Sequence, residues 1–460
     1  MREAFQEESN KENKRIYSNH DLFCLILPLI AGLALDLVVG MLDTVMVSST
    51  GESAVSGVSL VDSVMQLLIY IFAALASGGA VVAGQYLGAG NSKRAKQATE
   101  ELLWLNALLS VFIMLLMFLT FGWILRHLFG SITADVYGHA RSYFVVVIAS
   151  IPAIGIYEAG TAVFRSMNDS KTTMKISLVM NLMNCIGNVV LIYGCNMAAR
   201  GAAISTLVSR WFAAIAIVVL LLDQKKELSI RKTFRHRFDR TLSRSIFAMG
   251  IPGGVENGIF QLGKIGILGL VASFGTSAIT ANAVTQTMAS IEMIPGSAVQ
   301  LAITAVISRC IGAGDYKQAK YYNKKLLKIS YIAVMGLSLI MVLGLPLVLT
   351  LYNLSEETAS LATSMFLWHA AGAVTLWPLA FDLPASLRAA GDVRFPMIAS
   401  IFSMWVFRFG GAHLLANIFG LGAVGVWISM SMLDWGFRAV IYVIRWHSEK
   451  WKEKSVIHIK

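Results

Sequence analysis

Ionisable and amide side chains lie inside long apolar stretches of this chain, where carrying them costs several kcal/mol each on insertion scales. Asp36 and Asp43 share a run that starts near residue 22. They are seven residues apart, so a helix presents both on nearly one face. Asp43 falls about one and a half turns before the run ends. Asn188 stands six residues before Gly194, and Thr206 five residues after Gly201. At ~1.5 Å per residue, all three share one depth, with Asn184 one turn deeper than Asn188. A carboxylate with amide and hydroxyl oxygens is a hard-ligand set suited to Na⁺, through Asp43, Asn184 and Asn188. It suits a protonatable acid equally well. Asn184 and Asn188 could instead serve only as polar glue between helices.

The second half of the chain places Glu256 and Lys264 in one apolar run, Glu292 in the next, and Asp382 and Asp434 in later ones. Asp434 has Arg438 four residues on, the spacing of an ion pair on one helix face. Lys264 fits either a substrate contact or a counter-ion to Glu256, Glu292 or Asp382, because an unpaired buried charge is costly. Met288 and Trp377 add soft apolar contacts suited to an amphipathic ligand. Glu256, Lys264, Glu292, Asp382, Met288 and Trp377 are therefore the expected lining of a substrate cavity. Acids outnumber bases inside these runs, which favours a cationic cargo.

The elements that position these residues are membrane-spanning helices. Apolar residues make up 56 % of the 460, and mean hydropathy is +0.66. A spanning helix needs ~20 mostly apolar residues, and twelve such runs fit. They lie near 22–48, 59–86, 100–124, 142–164, 176–194 and 201–222, then 246–272, 279–308, 327–351, 361–387, 396–416 and 421–443. Residues Met1–His20 show no secretory signal peptide. Of the 38 Lys and Arg residues, 30 fall in the two tails and on alternate connections, so both termini are expected in the cytoplasm. This placement explains the net charge of +11 without nucleic acid. Cys24, Cys185, Cys195 and Cys310 lack metal or redox spacing and read as packing residues.

An internal repeat organises the spans. A shift of 224 residues places Pro28 on Pro252, and Ser49, Gly51, Ser53 and Ala54 on Ser273, Gly275, Ser277 and Ala278. Under the same shift Leu87–Lys96 (LGAGNSKRAK) meets Ile311–Lys320 (IGAGDYKQAK) with six identities in ten. Arg165 and Asp169 match Arg388 and Asp392 after one deletion, while Ser205 and Trp211 match Ser429 and Trp435 at the original shift. Six helices per half make the halves parallel repeats related by a pseudo-two-fold axis along the membrane normal. The expected fold is all-α and integral to the membrane, with twelve transmembrane helices in two parallel six-helix bundles. Its expected divisions are a tail (1–20), a lobe (21–222), a basic linker (223–245), a second lobe (246–445) and a second tail (446–460). A cavity between two such bundles would hold the cargo.

The whole chain resembles the multidrug and toxic compound extrusion family. The stretch ILPLIAGLALDLVVGMLDTVMVSSTGESAVSGVS is similar to that family's first helix and following loop. QYLGAGNSKRAK and CIGAGDYKQAK are similar to its glycine-rich loops after helices 2 and 8. FRSMNDSKTTMKIS and LRAAGDVRFPMIAS resemble its Arg-x-x-x-Asp loops, and NCIGNVVLIYG with RGAAISTLVSR its helices 5 and 6. The resemblance implies a multi-pass protein of a bacterial inner membrane that exports organic cations or amphipathic drugs, driven by inward movement of Na⁺ or H⁺. It needs no other cofactor, and a monomer in the lipid bilayer is expected. Asp43 matches the family's helix 1 acid, Asn184 and Thr206 match two companions, and Asn188 stands where some members carry aspartate. Asp36 joins this expected coupling group. Glu256 and Asp382 are each displaced by about a turn from the family's second-half acids.

A lipid-linked oligosaccharide flippase or polysaccharide exporter of the same superfamily is the nearest alternative. It would favour a large cavity lined by cations. A major-facilitator transporter would carry an acidic, arginine-rich loop after helix 2, which GAGNSKRAK is not. A membrane-embedded protease would need a catalytic constellation, yet only His369 and His413 of the eight His lie within spans. A channel would ordinarily repeat a pore motif around a symmetry axis.

Overall fold

The computed structural model describes residues 15–128, 133–232 and 236–457, with side chains 125–128 left aside. The expected tails therefore lie partly outside the described residues, as do positions 233–235 of the linker. The described residues are helical, without a strand. The first six helices are α1 (Asn19–Ser48), α2 (Glu52–Gly88), α3 (Ser92–Leu128), α4 (Ala134–Ser166), α5 (Ser170–Gly194) and α6 (Ala198–Leu221). The rest are α7 (Arg240–Ala272), α8 (Thr276–Glu292), α9 (Ile294–Gly312), α10 (Tyr316–Leu351), α11 (Glu356–Thr375), α12 (Pro378–Ala389), α13 (Arg394–Ile418) and α14 (Gly422–His447). These make twelve spans. α8 and α9 break at Met293, before Pro295, and form one span, and α11 and α12, bent by 61°, form another.

Two compact units divide the chain. One is Leu27–Gly254. The other joins the chain up to Ile26 with the chain from Val255 onward. In this second unit, the start of the chain is fastened to α10: the Tyr17 amide donates to the Tyr322 hydroxyl at 2.8 Å, and that hydroxyl donates back to the Tyr17 carbonyl at 2.7 Å.

The repeat seen in the sequence recurs in backbone detail. Gly51 and Gly275 precede α2 and α8 with φ of 113° and 93°, and Gly90 and Gly314 turn the chain at 73° and 70°. A Cβ is strained in this region, so the repeat keeps glycine there. Just beyond each second glycine an Asx side chain caps the next helix: Asn91 accepts from the Arg94 amide at 3.1 Å, and Asp315 from the Gln318 amide at 2.9 Å. Such caps satisfy amides that the helix itself leaves unpaired.

A second matched pair brings helices close where side chains do chemistry. A Cβ on Gly187 would stand 2.4 Å from Ser205 Oγ, and one on Gly411 would stand 2.8 Å from Ser429 Oγ. Small residues let helices approach in this way inside membranes. Ser205 then donates to the Asn184 carbonyl at 2.6 Å, and Ser429 to the Arg408 carbonyl at 2.8 Å. Positions 184 and 408, also 224 apart, thus occupy the same framework.

The basic linker is folded onto α3. Glu100 accepts from the Arg231 amide at 2.7 Å and from its guanidinium at 2.8 and 3.0 Å. Glu101 meets His236 at 2.7 Å and also takes the Ser243 hydroxyl. The Arg94 guanidinium bonded to Asp239 holds that carboxyl below the usual range.

Candidate functional site

The polar residues of α1, α5 and α6 converge on a cavity of about 370 Å³ in the Leu27–Gly254 unit. α5 supplies a stripe at helical spacing, Ser177, Asn181, Asn184 and Asn188, all buried. Facing it, α1 supplies Asp36 and Asp43. Asp36 accepts from Ser177 Oγ at 2.6 Å and from Asn181 Nδ2 at 2.7 Å. Seven residues further along both helices, Asn188 Nδ2 donates to Asp43 at 2.7 Å. Both amide contacts span 145 residues of sequence, so α1 and α5 run parallel in a fixed register.

Asn184 lies between Asp43 and Thr206. With its nitrogen toward the carboxylate it donates at 2.8 and 2.9 Å and accepts from the Thr206 hydroxyl at 3.2 Å. That orientation satisfies both neighbours, which is the criterion for placing an amide. Asp43, Asn184, Asn188 and Thr206 therefore form one hydrogen-bonded cluster, with Asp36 on the same wall. Two residues of this cavity were absent from the expected coupling group and carry charge into it. Asp62 of α2 accepts from the Tyr143 hydroxyl at 2.9 Å, and Arg210 of α6 donates to Ser150 at 3.0 Å. Arg210 is four residues past Thr206, so a helical reading of α6 could have found it. Asn181 and Ser177 were likewise legible as a continuation of the Asn184–Asn188 stripe.

The acids of the second half are arranged otherwise. Glu256 is buried and accepts from Arg388 at 2.8 and 3.0 Å. Glu292, fully buried, pairs with His369 at 2.7 Å and takes the Ser338 hydroxyl. Asp382 is fully buried on the π-helical turn Pro378–Asp382. Met288 packs in an apolar cluster with Val284, Leu345 and Phe366, and Trp377 stacks on Phe381. Five of the six residues expected to line a substrate cavity are thus interior to the unit. For Glu256 and Glu292 the physical reason is that an acid inside a spanning helix must find a partner, and for Met288 and Trp377 it is packing with apolar neighbours. Lys264 alone of the six is exposed. It pairs with none of the acids offered as its counter-ion. Asp434 does bond Arg438, at 2.9 Å.

A family model described as MatE matches residues 28–190 and, a second time, residues 252–413. The chain belongs to the MatE family. MatE proteins are membrane transporters rather than enzymes, and the double match is the internal repeat itself, each copy opening on its proline. Among relatives, an uncharacterized transporter YisQ of Bacillus subtilis is 27 % identical over 95 % of each chain. A probable multidrug resistance protein NorM of Thermotoga maritima is 24 % identical over 95 % of this chain and 94 % of its own. A solved outward-facing structure of a multidrug resistance MATE family transporter covers 94 % of this chain and 96 % of its own. It superposes with a TM-score of 0.88 at 19 % identity and shows that the fold is shared. This MatE chain is therefore a multi-pass membrane transporter, and its twelve helices are the family's.

Proposed function

We propose that this protein exports amphipathic organic compounds by alternating access, driven by protons that enter through Asp43. The carrying observation is the Asp43 cluster: a carboxylate within a spanning helix, met by the amides of Asn188 and Asn184 beside a 370 Å³ cavity. Relatives named for multidrug resistance support the cargo class. With the Asn184 amide placed by its hydrogen bonds, both nitrogens face Asp43 and the cluster suits a proton. Amide nitrogens facing the carboxylate are donors that hold it as an anion until a proton replaces them, whereas Na⁺ would need both amides turned to offer oxygen. A proton that binds from outside and leaves inside biases the equilibrium between outward- and inward-open states, which is sufficient to drive export.

The test is efflux of rhodamine 6G and its free acid from vesicles containing the purified protein. A pH gradient alone is expected to drive efflux and a Na⁺ gradient alone is not. The reverse result would reassign the site to Na⁺, and efflux under neither gradient would remove the coupling reading.

Both termini and the linker are proposed to be cytoplasmic, because they carry 17 of the basic residues when the C-terminal end is counted from Arg445. In a chain freed of its native cysteines, Glu52→Cys, Glu356→Cys and Leu421→Cys are expected to react with an impermeant thiol reagent on intact cells. Reaction only after the cells are opened would invert the topology.

A further inference from the structure

The shift of 224 residues lays the Asp43 site onto the second unit, and the charges reverse. Asp36 falls on Phe260, Gly40 on Lys264, Asp43 on Ile267, Asn184 on Arg408, Thr206 on Met430 and Arg210 on Asp434. The first unit sets Asp36, Asp43 and Asp62 against Arg210. The second sets Lys264, Arg408 and Arg438 around one aromatic ring, that of Phe260, with cations 5.5, 5.1 and 5.2 Å from its centroid.

The carboxylate in ion-pair contact with these arginines, among the described residues, is Asp434. It bonds Arg438 at 2.9 Å and lies 3.7 Å from Arg408. The other acids of the unit's spans are engaged or enclosed: Glu256 by Arg388, Glu292 by His369, and Asp382 in the interior. Lys264 has no carboxylate within ion-pair distance among the described residues, and its side chain is exposed. It sits eight residues before the end of α7 at Ala272, about 12 Å along the helix. An ammonium at that depth is stable only against water or an anion.

We propose that Lys264, backed by Arg408, is the subsite for an anionic group of the cargo. The transported class is then an amphiphile that carries a carboxylate or comparable acid, alone or as a zwitterion. This rests on the export reading and refines its substrate. It replaces the simple organic cation that the acid excess suggests, because in this unit Glu256 and Glu292 answer to internal partners and Asp382 is enclosed.

Rhodamine 6G is an ethyl ester, and its free acid differs by the carboxylate alone, so the pair isolates the group in question. Fluorescence polarisation with the purified full-length protein is expected to show the acid binding about tenfold more tightly than the ester, the size of one charge-assisted hydrogen bond. Lys264→Gln should remove that preference by weakening the acid alone, and Lys264→Arg should restore it. A thermal melt of each variant separates a loss of binding from a loss of folding. Equal binding of both dyes by the unaltered protein, or a preference that survives in Lys264→Gln, overturns the subsite and leaves export standing. Binding of neither dye overturns both.

Discussion

Asp43→Asn is expected to reduce gradient-driven efflux to the level of protein-free vesicles while the variant still inserts and still binds dye in detergent. The amide matches the carboxyl in shape and keeps neighbours at hydrogen-bonding distance. It cannot take up and release a proton at membrane depth, so the two states lose the bias that the gradient supplies. Partial variants should grade the effect. Thr206→Ala leaves Asn184 without the hydroxyl that fixes its amide, which should slow transport without abolishing it. Arg210→Gln removes the basic side chain from a cavity that holds three aspartates, so its efflux should shift along the pH axis. Substantial proton-driven efflux from Asp43→Asn, at matched amounts of reconstituted protein, would sink the coupling role.

Asp434→Asn should give the largest loss of stability, on the order of 3–5 kcal/mol. The carboxylate is fully buried and bonds Ser403 at 2.6 Å and Arg438 at 2.9 Å, with Arg408 at 3.7 Å. Its loss strands two guanidinium groups in a membrane interior. The Arg388–Glu256 pair is a contrast: the arginine side chain is 29 % exposed, so water can take over part of the lost interaction and Glu256→Gln should cost less. Thermal unfolding in detergent reads both. If Asp434→Asn adds an uncompensated charge, Asp434→Asn with Arg438→Met should recover much of the loss. A melting temperature for Asp434→Asn equal to that of the unaltered protein would show that the two arginines do not depend on this carboxylate.

The parts of this architecture that depend on periodicity and local chemistry were legible in the sequence. Twelve apolar runs, the matched prolines and the paired glycines at 51 and 275 all have local causes that a linear reading detects. The Asp43 cluster was legible because depth is nearly linear in residue number along a helix, and depth alone brings helices 1, 5 and 6 together. Rotation about the helix axis is not linear in that way, and the second half suffered for it. Arg388 read as a loop cation and His369 as an isolated ring, so Glu256 and Glu292 looked free when each had a partner across the bundle. The break at Met293 and the bend of 61° after α11 depend on packing around Pro295 and Pro378, which leaves no trace beyond the prolines themselves.

The two amide contacts between α1 and α5 turn those helices into a braced beam. The rungs at Asp36 and Asp43 are seven residues apart, about 10 Å along the axis, and share one register. A straight α1 cannot slide along α5 and break one rung while the other holds. Releasing the outer rung alone requires flexure between the two. Gly40 lies midway, with no atom within 4 Å of where a Cβ would stand, so no neighbouring side chain braces the helix between the rungs. An event that frees the rung at Asp43 therefore leaves α1 held to α5 at Asp36, a single pivot where there had been two.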